Sequence, residues 1–330
     1  MSDYVGIDIG AKSVVVSVRR AGRTLVSQEF RQTPEGHQAL IDKLGSQVVC
    51  VVLEATGVYY LDLAMALHRA GLPVAVINPR SFHHFANLKL NSSKTDAVDA
   101  ALLAEYGECI KPTLWQAPDE ALMGLRDIGR QINRLTAART QAKNRLHALR
   151  SKSNTLALLI EDEADGIERL DLRIDRLSKA ALELINQQPH IKQQLANITC
   201  AKGIGQTSAI AMLAELCVLP RELKSPQVSR YAGLDVRLCQ SGSSVSKPGR
   251  LSKAGNAYLR SAFFMPALSA VRHDPNAKAF YESLQQRGKK KIQALCAVMR
   301  KYLTGVWACL KLGVPFDSSK LFSTEHLENA

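Results

Sequence analysis

Residues 1–112 are patterned as short β-branched runs cut by glycine, followed by stretches with a helical period. Tyr4 to Arg20 reads as a strand, a tight turn at Gly10-Ala11-Lys12-Ser13, and a second strand through Val14 to Val18. Gly22 turns the chain again, and Thr24 to Phe30 is predicted as a third strand. A helix is predicted around Glu35 to Leu44. Val48 to Leu53 is a continuous apolar run, suited to a strand buried on both faces, and it stops at Glu54. Tyr59 to Ala70 is predicted helical and Pro73 to Ile77 extended. After a loop comes a further helix, N-capped by Ser93 or Thr95, whose first turn carries Asp96 and Asp99 on one face.

Beyond residue 112 the period is helical. Leu122, Leu125, Ile128, Ile132, Leu135, Ala142, Leu146 and Leu149 step mostly by three or four. Ile167, Leu170, Ile174, Leu177, Ala181 and Leu184 alternate steps of three and four, the spacing of a coiled-coil seam. Ser151 to Asn154 is the predicted bend between them. Between Trp115 and Tyr231 there is no Phe, Tyr or Trp, which suits a thin two-helix arm better than a globular core. Cys200 to Ala209 then opens a helix through Gly203-Ile204-Gly205. It is either a plain interhelical turn or a helix-hairpin-helix element whose amides meet phosphate. Tyr231 to Leu234 leads into Ser241-Gly242-Ser243-Ser244 and on to Lys247, Arg250 and Lys253, predicted as a flexible basic loop before a helix near Ala257. The expected division is 1–112, an α/β domain; 113–190, an antiparallel coiled-coil arm; and 191–330, a mainly α domain.

Three antiparallel strands followed by alternating helix and strand is the order of a ribonuclease-H-like domain. In that fold Asp8, at the end of the first strand, Glu54, at the end of the fourth, and the Asp96/Asp99 helix converge at one end of the sheet. Four carboxylates there suit two Mg²⁺ ions, hard cations that activate a nucleophile and stabilise the leaving oxygen in phosphoryl transfer. Separately, Asp96 and Asp99 are explained by the helix dipole, which favours acidic residues in a first turn. Gly6-Ile7-Asp8-Ile9-Gly10 with Lys12 also fits the first phosphate loop of an actin-like sugar kinase. That fold needs a second copy of the motif and a Gly-Gly adenosine loop, and the chain has neither.

The net charge is +13, and it is unevenly placed. Residues 1–112 hold 11 basic and 11 acidic residues; the remainder holds 32 and 19, and 231–330 alone holds 15 and 6. A neutral domain with clustered carboxylates followed by a basic remainder suits chemistry on a polyanion that the second part grips. Arg126, Arg130 and Arg134 recur every four residues and are expected either to track phosphates or to neutralise the acidic run from Glu161 to Asp175. Lys247, Arg250 and Lys253 are the cations nearest the serine cluster. The seven cysteines are scattered without a C-x-x-C pair, as in a reducing cytoplasm. No apolar run reaches the roughly 18 residues of a membrane span, and no signal-peptide core follows Asp3.

Taken together, Gly6-Ile7-Asp8, Leu53-Glu54-Ala55-Thr56-Gly57, Ile77-Asn78-Pro79, Lys94-Thr95-Asp96-Ala97-Val98-Asp99-Ala100, Gly203-Ile204-Gly205, Ala232-Gly233-Leu234, Ser241-Gly242-Ser243-Ser244 and Leu251-Ser252-Lys253-Ala254-Gly255 make the chain resemble the DEDD transposases of bacterial insertion sequences. These are bridge-RNA-guided serine recombinases. The resemblance spans nearly the full length and implies a RuvC-like domain binding Mg²⁺ through Asp8, Glu54, Asp96 and Asp99. It also implies a coiled-coil dimerisation arm and a C-terminal transposase domain whose serine, Ser241 by motif, bonds covalently to a DNA phosphate. A composite site shared between subunits, assembly of dimers into tetramers on donor and target DNA, and a structured guide RNA follow from it as well. Lys202-Gly203 stands where the family usually has Pro-Gly. The competing expectations are a RuvC-like junction resolvase that uses water, with Ser241 structural, and a non-catalytic nucleic-acid-binding protein.

Overall fold

Val5, Ile7 and Ile9 alternate with Tyr4, Gly6 and Asp8 along β1 (Asp3–Ile9), giving the strand one aliphatic and one mixed face. In the computed structural model this parity organises the first of two units, residues 1–117. The structure describes residues 2–322 apart from 26, 46, 56, 58, 91–94 and 242–244, and leaves the side chains of 239–248 aside. Ser93, Lys94, Thr56 and Gly242-Ser243-Ser244 of the motifs above therefore lie outside the described residues.

The first unit continues with β2 (Ser13–Arg20), β3 (Arg23–Thr24), β4 (Gln28–Arg31), α1 (Pro34–Lys43), β5 (Val48–Glu54), α2 (Tyr60–Arg69), β6 (Val74–Ile77), α3 (Pro79–Leu88) and α4 (Asp96–Ile110). The sheet runs β3-β2-β1-β5-β6, with β4 also paired to β2. β1 and β2 are antiparallel, whereas β1, β5 and β6 are parallel. The third predicted strand is interrupted, and its two pieces share the edge beside β2. Val5, Ile7, Val14, Val16, Val51 and Leu53 pack with Leu40, Leu63 and Leu67 of α1 and α2. On the opposite face Cys50, Val52, Ala75 and Ile77 pack with Phe82, Phe85, Leu103 and Tyr106 of α3 and α4. Each of these fully buried aliphatic side chains stabilises the unit by about 1.5–3 kcal/mol before chain entropy is counted. The helix α3 stands where a loop is predicted. Its start is nonetheless written locally, for Asn78 Oδ1 accepts from the Arg80 amide (2.8 Å) and Pro79 occupies the first turn.

The second unit, 118–330, holds α5 (Glu120–Arg150), α6 (Ala157–Asn186), α7 (Pro189–Thr199), α8 (Gln206–Leu216), α9 (Ser225–Tyr231), β7 (Val236–Ser241), β8 (Val245–Leu251), α10 (Ala257–Ala262), α11 (Phe264–His273), α12 (Pro275–Gln286) and α13 (Lys291–Leu312). α5 and α6 pack on each other in antiparallel register, as the ion pairs Arg139–Asp171 (2.5 Å) and Arg145–Glu163 (2.6 Å) require. Their mutual neutralisation is thus realised at two points. The three-four seam of α6 is filled within the chain: Ile174 and Ala181 are buried, and Leu170 and Leu177 pack against the same core. That core also contains Leu125, Ile132 and Leu135 of α5, Ile210 and Leu213 of α8, and Tyr302, Val306 and Trp307 of α13. The arm helices are therefore rooted in the C-terminal core, and 113–190 does not stand as a compact unit of its own. The segment predicted as a flexible loop is partly a β-hairpin, β7 with β8, because Val236, Leu238, Val245 and Leu251 supply strand-forming residues on both sides of the glycine-serine turn.

Candidate active site and nucleic-acid interface

The parity of β1 and β5 decides which carboxylates meet. With Ile7, Ile9, Val51 and Leu53 on the α1/α2 face, Asp8 and Glu54 fall on the α3/α4 face at the carboxyl ends of adjacent parallel strands. Helix α4 begins there. Thr95 is its N-cap, extended at φ −142°, ψ 153°, with its hydroxyl oxygen accepting from the Val98 amide (3.3 Å). Asp96 and Asp99 form the first turn.

What brings that turn against the sheet is Gly6. A Cβ on Gly6 would lie 2.1 Å from the Ala100 carbonyl oxygen, 2.2 Å from the Ala104 nitrogen and 2.8 Å from the Leu103 carbonyl carbon. The backbone of α4 therefore rides directly on the backbone of β1, closer than any side chain allows. Further along, Gly107 makes a similar approach to Val52 and Tyr4. Ion pairs fasten the same helix: Arg19 reaches Glu108 (2.5 Å) and Glu105 (3.4 Å), and Lys89 reaches Glu105 (2.9 Å).

Asp8 is half-buried, and its carboxyl is pushed up to about 6. Burial is the largest cause, followed by the charges of Asp96, Asp99 and Glu54, while the Ile9 amide opposes them. The three other carboxylates thus all act on Asp8. Among the described residues, however, no three His, Cys, Asp or Glu side chains are arranged to hold an ion. The two facts are compatible, since like charges are felt over several ångströms whereas Mg²⁺ demands oxygens at about 2.0–2.1 Å. The donor set, all carboxylate, fits the chemistry of a hard divalent cation.

In the second unit Ser241 ends β7, with Val245 as its cross-strand partner, and Lys247 opposes Cys239. Arg250 lies opposite Arg237, and Lys253 sits just beyond the hairpin in the left-handed region (φ 49°), its amide donating to the Gly233 carbonyl (3.1 Å). Gly203 also has positive φ (88°), and a Cβ there would meet the Pro266 carbonyl oxygen at 2.6 Å, so the Lys202-Gly203 turn is packed against α11.

The expected arginine stripe has a different role at one position. Arg130 donates twice to Glu215, from Nε (2.5 Å) and Nη2 (3.0 Å), and lies over the Tyr258 ring. Glu215 is only 1% exposed and also accepts from the Asn256 amide nitrogen (2.5 Å). Arg130 therefore neutralises a buried carboxylate and does not belong to a phosphate stripe, because releasing it would strand Glu215. Arg134 Nε donates to the Tyr258 hydroxyl (3.0 Å), and the buried Nε of Arg126 has no hydrogen-bond partner. Glu215 and Asn256 were invisible as a pair in the sequence, being 41 residues apart.

A sheet in the order β3-β2-β1-β5-β6, with carboxylates at the ends of β1 and β5 and at the start of α4, is that of an RNase-H-like domain. Residues 5–151 match the family DEDD_Tnp_IS110, described as transposase, and residues 195–282 match Transposase_20, the transposase IS116/IS110/IS902 family. The chain belongs to this IS110 family of transposases and is a DNA recombinase. It is 29% identical to the pilin gene-inverting protein of Moraxella bovis, over 95% of this chain and 97% of that one. It is 21% identical to the uncharacterized 43.6 kDa protein of insertion element IS110 from Streptomyces coelicolor, over 96% and 95%. A third relative, the uncharacterized 42 kDa protein of IS900 from Mycobacterium paratuberculosis, is 26% identical over 93% and 95%. Among solved structures, T. thermophilus RuvC in complex with a Holliday junction substrate aligns with 35% of this chain and 100% of that one at 16% identity and a TM-score of 0.28, too slight to add to the strand order. No described helix is long and apolar enough to cross a membrane.

Proposed function

We propose that this transposase cuts and rejoins DNA through a covalent bond between Ser241 and a DNA phosphate, with Mg²⁺ held by Asp8, Glu54, Asp96 and Asp99. The observation that supports the reading is the raised carboxyl of half-buried Asp8, on which Asp96, Asp99 and Glu54 all act and which a bound cation would favour in its ionised form. When bound, Mg²⁺ supplies Lewis acidity at phosphate oxygens and lowers the cost of ionising a hydroxyl. The serine hydroxyl gives up its proton, its oxygen bonds to phosphorus, and a deoxyribose oxygen departs and is protonated; religation reverses these events with another strand's oxygen. Serine is a weak nucleophile at neutral pH and needs that help. Lys247, Arg250 and Lys253 would hold phosphates around the hairpin. Arg126 and Arg134 remain candidate contacts to nucleic acid, while Arg130 is reassigned to the fold.

By resemblance the enzyme works with a structured guide (bridge) RNA and assembles through its α5–α6 arm into dimers and then tetramers on donor and target DNA. The basic surplus of 231–330 supports a polyanionic partner. Because the α6 seam is filled within the chain, an arm-mediated interface would use its outer residues, among them Leu158 (71% exposed) and Leu172 (65% exposed).

The test is a denaturant-resistant protein–DNA adduct. Wild-type protein with Mg²⁺ is expected to form it and Ser241→Ala to lose it while still binding DNA. Cleavage without an adduct would select a water-using resolvase, and neither adduct nor cleavage would leave a binding protein. RNA sequenced from the purified protein checks the guide.

A further inference from the structure

The β7–β8 hairpin has a base tied down by hydrogen bonds. Its base is closed by a hydrogen bond from the Ser252 hydroxyl to Asp235, by the Ser252 amide on the Asp235 carbonyl (2.9 Å), and by the Lys253 amide on Gly233. Next to the base, Asn256 caps α10 while its side chain is held by Glu215 and by the Tyr231 hydroxyl (3.0 Å). Val236 and Leu238 lie over Gly249 on one face and are 52% and 71% exposed. Two-stranded ribbons without a core behind them are marginal in water.

The other face carries the informative pair. Arg237 and Arg250 are direct cross-strand partners, so their side chains leave the same face with Cβ atoms about 4.5–5.5 Å apart. Both are exposed. Like charges directly opposite destabilise a ribbon, and no ion pair to either is seen among the described residues. Asp235, the residue before β7, accepts from the Ser252 hydroxyl. Two arginines on one face, each long enough to reach a common anion, offer paired donors to the two non-bridging oxygens of one phosphodiester. A two-stranded ribbon also has the width of the DNA major groove, which brings its edge to the backbone.

We propose that Arg237 and Arg250 clamp a single phosphate of duplex DNA at the base of the β7–β8 ribbon, setting the height at which the ribbon meets the strand. The clamp deepens the DNA-recombinase reading and rests on it, but it does not depend on which group is the nucleophile. Arg237 enters as a DNA contact that its sequence context leaves unmarked.

The experiment measures binding of the full-length protein to a labelled mixed-sequence DNA duplex across a salt titration. Each phosphate neutralised contributes about 0.9 to the slope of log affinity against log salt. Arg237→Ala and Arg250→Ala are each expected to weaken binding about tenfold with the slope kept, because the remaining arginine still neutralises the shared phosphate. The double variant should flatten the slope by about one phosphate. Arg237→Lys should preserve the slope while losing affinity, since charge remains and the fork does not. A double variant losing two phosphates or none, or a single variant losing one, would overturn the clamp. So would a loss seen on an RNA duplex and not on DNA. Thermal melting of the free protein should be unchanged or raised in Arg237→Ala, and a fall would mark the arginine as structural. Wild-type protein that fails to bind DNA at all would instead sink the underlying reading.

Discussion

Replacing Gly6 by alanine is the sharpest perturbation of the carboxylate end. The added Cβ would lie 2.1 Å from one backbone atom of α4 and 2.2 Å from another, against an ordinary contact of 3.4 Å or more. Helix α4 would have to recede from β1 by more than about 1 Å, since backbone cannot swing aside as a side chain does. Overpacking of this kind costs about 1–3 kcal/mol, and three backbone contacts put this case near 3. For a unit of this size that corresponds to a melting temperature lower by about 12 °C. The functional loss should exceed the stability loss, because Asp99 immediately precedes Ala100, the residue displaced. Moving two of the four proposed ligands by 1 Å, where coordination tolerates about 0.2 Å, is expected to weaken Mg²⁺ binding about 10- to 100-fold. The assay is isothermal calorimetry of Mg²⁺ binding below the melting temperature, beside strand-transfer activity. Gly107→Ala is the control. It also crowds α4 against the sheet, with Val52 Cγ2 at 2.8 Å, but it lies about 12 Å along the helix from Asp99 and meets side-chain atoms. Equal Mg²⁺ affinity in Gly6→Ala and wild type would refute the reasoning, as would an equal loss in both glycine variants.

Asp8→Asn should raise the melting temperature of the metal-free protein at neutral pH while abolishing strand transfer. With the folded carboxyl at about 6, the folded state binds more protons than the unfolded one between about pH 4 and 6, so ionised Asp8 lowers stability as pH rises through that window. Solvent screening of this half-exposed group reduces the effect to roughly 1 kcal/mol, and a pH–stability profile identical in wild type and Asp8→Asn would contradict it. Asp96→Asn and Asp99→Asn should each eliminate strand transfer with cooperative unfolding retained, and near-wild-type recombination in either would reject the shared metal site. Arg130→Ala should destabilise the second unit by about 3–5 kcal/mol by stranding Glu215, whereas Arg130→Met with Glu215→Leu should cost less, as chemical denaturation can measure. Ile174→Asp should lower the denaturation midpoint even at dilutions where no dimer exists, because the seam it enters is filled by the same chain; a midpoint that falls only at high protein concentration would place the seam between copies.

Much of the N-terminal unit is local in origin and therefore written in the sequence. Period-two alternation in Tyr4 to Ile9 assigns Asp8 to the mixed face, the apolar run at Val48 announces a central strand, and Thr95 with Asp96 and Asp99 spells a helix start. The four carboxylates could be nominated from these signals and from the motif resemblance. The seating of the Asp96/Asp99 helix on β1 could not, because it depends on the backbone contact between Gly6 and Ala100, residues 94 positions apart whose complementarity has no local signature. The same limit explains Arg130. Its spacing with Arg126 and Arg134 describes a helix face, but only the fold brings Glu215 and Tyr258 to that face and turns a presumed phosphate contact into a buried ion pair. The β7–β8 ribbon carries modest strand signals diluted by Pro248 and Gly249, and its register, set by pairing between strands, alone places Arg237 opposite Arg250. Sequence nominated the candidate side chains and determined the period of the elements that bear them. Tertiary structure decided which of them meet, since contact between distant residues is a property of packing and not of any short stretch of chain.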